Sequence, residues 1–420
     1  MNSYLRKCIQ VSVLGFCAHT LILNTLIAPA VAAEKTEKVS PKVGKPLKKA
    51  RELMAEKKWQ EALAQTKEVA AIPNKTPNEE AIINEMLAYI MMNLKDYAGA
   101  AATYEKMLAG NQFKPEEVPK RLRSLSQLYL SAKNYPKSIQ YGEAYLKVDG
   151  GDLEALRQVG ETYYLNNDFP KAEATAQTLL QTAQRKNVKV EEEWLKLLLS
   201  AQYKQDKKGA IVQTLERLLA NYPSDQYWSN MFTYASDSSF SDRQIMIYLR
   251  LLHERGLMEA NEYIEMAELS LAVNSPGDAK AYLEEGFSKG ILGVGEQKAR
   301  ESKLLNLAKQ QATEDVATLG TLEKEALAKP TGEALIKIGE AYLGHGQFRN
   351  AISAFEQGLK KGGIRNQDDI YINAGFAHLK LGETDKAIKS FQSVPATSKL
   401  ALMARLWTIH ANSLANTIAK

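Results

Sequence analysis

The sequence predicts an all-α chain: an α-α superhelix of about ten helical pairs, closed by a C-terminal capping helix. Three observations predict it. A spaced pattern of small and aromatic residues recurs at about 34 to 38 residues. Its clearest copies are Gly339, Tyr342, Phe348, Ala351 and Phe355; Gly160, Tyr163, Phe169, Ala172 and Ala176; and Gly375, Ala387 and Phe391. Pro73, Pro115, Pro223 and Pro330, with Gly150-Gly151 and Gly362-Gly363, lie near the ends of these copies, where a helix must stop. No run of alternating β-branched residues competes for the same segments.

The N-terminus reads as a secretory signal over residues 1–33. Arg6 and Lys7 form a short basic region, Ile9 to Ala30 is mostly apolar, and Ala30-Val31-Ala32-Ala33 supplies the small residues that a signal peptidase needs. Cleavage after Ala32 or Ala33 gives a periplasmic protein. The alternative is an inner-membrane anchor, which Gln10, Ser12, His19, Asn24 and Pro29 weaken. Cys8 and Cys17 both fall in this segment, so the mature chain has no thiol and no disulfide. Phe16 is too large for the residue that precedes a lipidated cysteine.

Residues 34–49 are Lys-rich and polar and contain Pro41, Gly44 and Pro46, which predicts a flexible linker. Helical pairs follow. An N-terminal array over 50–240 is anchored on the small residues Ala62, Ala100, Ser138, Ala172 and Ala210. Degenerate repeats occupy 241–330. Ala279 is separated from Ala210 and from Ala351 by about two periods on each side. Trp228, Phe232 and Tyr248 fill the first gap, and a weak repeat over Leu304 to Ala326 fills the second. Residues 331–420 hold the repeats of Ala351 and Ala387 and a final helix, Leu400 to Ala415, that caps the array with Met403, Leu406, Trp407 and His410.

Within each pair, Ala88, Gly160, Ala267, Gly339 and Gly375 take the position where the two helices cross, because a larger side chain would push them apart. Tyr129, Tyr163 and Tyr342 stand three residues further on, and their rings are expected to fill the space the small residues leave.

The chain carries no recognisable chemistry. Its 54 basic and 49 acidic residues give a net charge of +5, too small an excess over 420 residues to argue for nucleic acid. The five histidines are far apart, without the four-residue spacing of a zinc site. Neither a phosphate-cradling glycine loop nor a serine nucleophile elbow is present. Glu191-Glu192-Glu193 and Asp368-Asp369 fall at helix starts, where they favour the helix dipole. The expectation is therefore a protein that is not an enzyme, with no catalytic residue, cofactor or metal.

A repeat array of this kind presents a binding face along its first helices. Solvent-facing residues there lie six and three before the small position, and one and four after it. That rule selects Tyr89 and Met92; Lys120, Arg123 and Gln127; and Glu154, Arg157, Glu161 and Tyr164 as candidate partner-binding residues. Arg and Tyr anchor interfaces well, and Met adapts to irregular partners. The same rule applied to Gly339 gives Glu333, Ile336, Glu340 and Leu343.

On the spacing quoted above, the mature chain resembles tetratricopeptide-repeat proteins. It is also similar to exported bacterial repeat proteins described as components of TonB systems. That second resemblance is carried by Trp194-Leu195-Lys196-Leu197-Leu198-Leu199, by Leu215 through Leu218-Leu219-Ala220-Asn221-Tyr222-Pro223, by Gln226-Tyr227-Trp228, and by Leu251 to Gly256-Leu257. It implies a partner among TonB, ExbB and ExbD, without naming contact residues. The expected function is a periplasmic scaffold or adaptor accessory to TonB-dependent transport. The alternative is a scaffold for outer-membrane assembly or exopolysaccharide secretion.

Overall fold

A computed structural model describes residues 39–418. The expected signal segment lies outside the described residues, as do the first residues of the expected linker. The described residues form twenty α-helices and no strand. None of these helices is long and apolar enough to cross a membrane. The chain divides into two compact units, Met1–Thr214 and Leu215–Lys420.

The first unit contains α1 (Pro41–Ala55), α2 (Trp59–Ala70), α3 (Pro77–Asn93), α4 (Tyr97–Ala109), α5 (Val118–Ser131), α6 (Tyr135–Leu146), α7 (Leu153–Leu165), α8 (Phe169–Arg185), α9 (Glu192–Lys204) and the start of α10 (Lys208–Asn221). Consecutive helices pair as hairpins, and one residue of left-handed backbone makes each turn: Lys57, Lys95, Lys133, Asn167 and Asp206 all have positive φ. After three of these turns, Asp96, Asn134 and Asp168 cap the next helix by accepting the N–H of Gly99, Lys137 and Lys171. Thr76 and Glu79 form a capping box at the start of α3.

Residues 41–49 are not a linker. They are the first turns of α1, and Val43, Leu47 and Ala50 are buried against α2 and α3. Pro41 sits at the helix start, where its missing N–H costs little, and Pro46 is tolerated inside the helix. The backbone N–H of Ser40 donates to Glu79 Oε1 at 2.8 Å, which ties this end of α1 to α3.

The second unit contains the remainder of α10, α11 (Asp225–Ala235), α12 (Asp242–Glu254), α13 (Ala260–Ala272), α14 (Pro276–Ser288), α15 (Lys298–Ala328), α16 (Glu333–Gly344), α17 (Phe348–Lys361), α18 (Gln367–Lys380), α19 (Thr384–Gln392) and α20 (Ala401–Ile418). Trp228 and Phe232 are buried and stack on each other, and Tyr248 meets Phe232 edge-on, so these aromatics are core. The expected helical pair over Leu304–Ala326 is instead part of one 31-residue helix, α15. No proline or left-handed residue interrupts it, and Gly320 stays helical. Its buried residues Glu301, Ala308, Ala312, Leu319 and Ala326 form a single narrow stripe, enough to pack one helix against α14 and α16. α20 packs on α19 and α18, with Trp407 fully buried between Phe376 and Phe391, as a cap requires.

The expected small contacts are buried: Ala62, Ala100, Ser138, Ala172, Ala279, Ala351 and Ala387 are all 0% exposed. Ala210 is only half-buried. The expectation for the tyrosines is corrected. At Gly339 and Gly375 the space is filled by a phenylalanine of the partner helix: a Cβ would stand 2.5 Å from the Phe355 ring at the first and 2.3 Å from the Phe391 ring at the second. The tyrosines reach backwards instead. Tyr129 donates to Glu105 and Tyr342 to Glu323, each at 2.6 Å, and Tyr163 donates to Glu143. Each of these carboxylates belongs to the preceding helix in the stack, so each tyrosine ties one hairpin to the previous layer.

Two glycines isolate the turn geometry from packing. Gly346 has φ +69° with open space around it, and Gly320 lies mid-helix with open space around it. Gly346→Ala is expected to destabilise the second unit by about 1–2 kcal/mol, since only the left-handed backbone opposes the methyl. Gly320→Ala is expected to stabilise it by about 0.5–1 kcal/mol. Urea unfolding of the two variants checks both signs.

Candidate binding faces and a buried polar cluster

In the first unit, the candidate residues lie on α3, α5 and α7 as expected from their spacing. Tyr89 is half-buried and meets Trp59 edge-on at 6.0 Å. Met92 is half-buried against the core of α3 to α5. Lys120 is exposed and Gln127 half-buried on α5. Tyr164 is half-buried, packs edge-on to Phe169, and has its hydroxyl pKa raised by burial.

The two candidate arginines are engaged within the fold. Arg123 Nη1 is 2.9 Å from Asp152 Oδ2. Asp152 also accepts the Tyr145 hydroxyl at 2.9 Å and caps α7 through the Ala155 N–H. Arg123 therefore belongs to a clasp between α5 and α7. Arg157 pairs with both Glu154 and Glu161 on its own helix. Burial pushes the Glu161 carboxyl up, while Arg157 pulls it down. Lys196 on α9 pairs similarly with Glu192 and Glu193. The result is a row of charges presented on α7 and α9 and already organised by neighbours one helical turn away.

Sequence spacing missed Arg121, which is buried, pairs with Glu85 at 2.6 Å, and lies over the rings of Tyr104 and Phe113. An arginine between Lys120 and Leu122 at a helix start gave no signal that it points inward.

The second unit holds what the sequence could not show. Arg250 of α12 is 4% exposed. Its Nη2 donates to Asp278 Oδ2 at 2.7 Å and its Nη1 to Asn373 Oδ1 at 2.9 Å. Ser275 adds a hydrogen bond to the same Asp278 oxygen. Around this centre, Arg243 Nε donates to both oxygens of Glu340 at 3.1 Å, Gln244 donates to Asp369, and Lys380 donates to Glu254. These bonds join α12 to α16 and α18 across 97 to 126 residues of chain, which no local pattern predicts. Burial pushes the Glu340 and Asp369 carboxyls up, against the pull of Arg243. Glu254 is opposite: burial raises it, but His253 and Lys380 together bring it down to about 2. The residues that spacing assigned to an open face here are otherwise employed. Glu340 belongs to this cluster, and Ile336 and Leu343 are core.

Residues 336–400 match the tetratricopeptide-repeat family. The match covers the hairpins built on Gly339 and Gly375. No curated protein matches the chain. A solved tetratricopeptide repeat protein from Parabacteroides merdae is similar at 13% identity, over 80% of this chain and 99% of that one, with a TM-score of 0.33. The structure of Naa15/Naa10 bound to HypK-THB is similar at 16% identity, over 86% of this chain and 59% of that one, with a TM-score of 0.34. The yeast Sti1 TPR2AB domain in complex with pHSP90 is similar at 12% identity, over 73% and 100%, with a TM-score of 0.25.

Removing one partner of the buried pair leaves the others uncompensated. Arg250→Met is expected to destabilise the second unit by about 3–5 kcal/mol, and Arg250→Met with Asp278→Leu to recover much of that loss in urea unfolding. A second expectation concerns acid. His410 is 2% exposed, and burial lowers its pKa from 6.5 to about 4. Between these values the unfolded chain binds a proton that the folded one refuses, so stability falls as pH falls from 6.5 towards 4. His410 should contribute about 3 kcal/mol of that loss. The total fall in stability across this window should be smaller in His410→Leu by that amount.

Proposed function

We propose that the protein is a non-catalytic adaptor of the bacterial cell envelope, which holds a protein partner on the first-helix face of the first unit. The observation that carries this reading is the face on α5 to α9. There exposed Lys120, half-buried Gln127 and Tyr164, and the Glu154–Arg157–Glu161 row stand along successive helices. Side chains already held in place lose little freedom on binding, which favours association. The second unit contrasts with this, because the equivalent positions of α16 are used by its own interior.

The proposed location is the periplasm, supported by the signal-like residues 1–33. The proposed setting is TonB-dependent transport, with TonB, ExbB or ExbD as partners. It is supported by the resemblance carried by Trp194 to Pro223 and continued to Leu257.

In-cell crosslinking of a tagged copy, followed by mass spectrometry of what is captured, tests the reading. Capture of TonB-system proteins is expected. Lys120→Glu with Tyr164→Ala should reduce it about tenfold while leaving the helical circular dichroism unchanged. Capture that is indifferent to this double substitution would remove the face from the proposal. Capture of outer-membrane assembly or polysaccharide-export proteins instead would remove the TonB setting.

A further inference from the structure

Beside the buried cluster of the second unit lies a partly open cavity of about 110 Å3, bounded by α12, the turn between α13 and α14, α16 and α18. Its lining includes Arg243, Arg250, Lys337, Ser275, Asn373 and Glu340. Three cations therefore face one carboxylate. Two further acids stand close to the lining: Asp278 is taken up by Arg250 and Ser275, and Asp369 accepts from Gln244.

The donors of this lining are only partly used. Arg250 commits both terminal nitrogens to Asp278 and Asn373, and its Nε is buried away from the open space, so Arg250 supplies charge rather than an open donor. Arg243 holds Glu340 through Nε, leaving its fork of terminal nitrogens for another acceptor. Asn373 accepts from Arg250 through Oδ1, which fixes its amide so that the NH2 group is the end left to donate. Lys337 is exposed and pairs with no carboxylate among the described residues. The lining itself thus leaves more donors than acceptors open, which suits a ligand that only accepts.

We infer that this cavity binds a small oxyanion, a carboxylate or a phosphate, held by Arg243, Lys337 and Asn373 beside the charge of Arg250. The volume sets the size. A space of this size suits a group of a few heavy atoms. Guanidinium groups match planar and tetrahedral oxyanions through paired N–H donors, and the ammonium of Lys337 adds charge at the edge. A bound anion would bridge α12 to α16 and α18, so occupancy stabilises the second unit by mass action.

The inference stands apart from the adaptor reading, since it concerns other residues and needs no partner protein. Its test uses the full chain, titrated by calorimetry and by thermal unfolding with inorganic phosphate and, separately, with acetate, against chloride at equal ionic strength. Lys337→Gln is the informative variant because it removes an exposed, unpaired charge without opening the buried cluster. Lys360→Gln on α17 serves as the control. Saturable binding by about 1 mM of either anion, weakened at least fivefold by Lys337→Gln and unchanged by Lys360→Gln, is the expected result. Preference for phosphate or for acetate identifies the source of the oxyanion. Absence of saturable binding for both anions, or equal weakening by the two lysine variants, overturns the site. Loss of partner capture by the Lys120 and Tyr164 variant would leave this result untouched.

Discussion

Each hairpin depends on how closely two backbones can approach at one small residue. A single helical pair has no core beyond the strip where its helices touch, and its remaining apolar surface must be covered by the next pair. Where the strip is glycine, a ring can lie flat in the space, as Phe355 does at Gly339 and Phe391 at Gly375. Where it is serine, the contact is polar: Ser126 and Ser138 each donate to the other's backbone carbonyl at 2.8 Å. The same constraint acts between layers. A Cβ on Gly277 would stand 2.7 Å from the backbone of Gly344, so α14 and α16 meet almost backbone to backbone. That approach sets α16 near enough to α12 for Arg243 to reach Glu340.

This contact was the legible part of the sequence, because small residues at a fixed period are a local pattern and the structure uses them locally. The turns were less legible. Gly346 and Gly382 announce a left-handed residue, but Lys57, Lys95 and Lys133 adopt the same backbone with side chains that give no warning. The expected linker failed for a related reason: Pro41, Gly44 and Pro46 read as breakers, whereas Val43, Leu47 and Ala50 supplied an apolar stripe strong enough to fold them into α1. For the candidate binding residues, spacing placed them on their helices but could not show that Arg123 and Arg157 already have carboxylate partners. Those partners become visible only when the helices are set side by side.

The polar interior of the second unit was beyond reach of the sequence altogether. Arg250 sits in an apolar run, Tyr248-Leu249-Arg250-Leu251-Leu252, and its partners come from α14 and α18. Replacing such a cluster with apolar side chains often leaves stability unchanged or improves it. What an ionic cluster adds is direction, since hydrogen bonds fix which helices meet and at what register. The two units thus apply one repeat pattern differently. The first leaves a row of charges and an aromatic ring along its first helices, and the second turns the corresponding side chains on itself.

The long helix α15 carries a consequence for how the chain can change length. Its buried stripe, Glu301, Ala308, Ala312, Leu319 and Ala326, steps by whole or partial heptads along a rod of about 46 Å. Inserting one residue in its middle would rotate everything beyond by about 100° and swing half the stripe into water. Inserting seven would return the stripe to within about 20° of its place and lengthen the rod by two turns. Natural variation in the spacing between α14 and α16 should therefore be quantised, with additions and losses in sevens tolerated and single-residue changes rare.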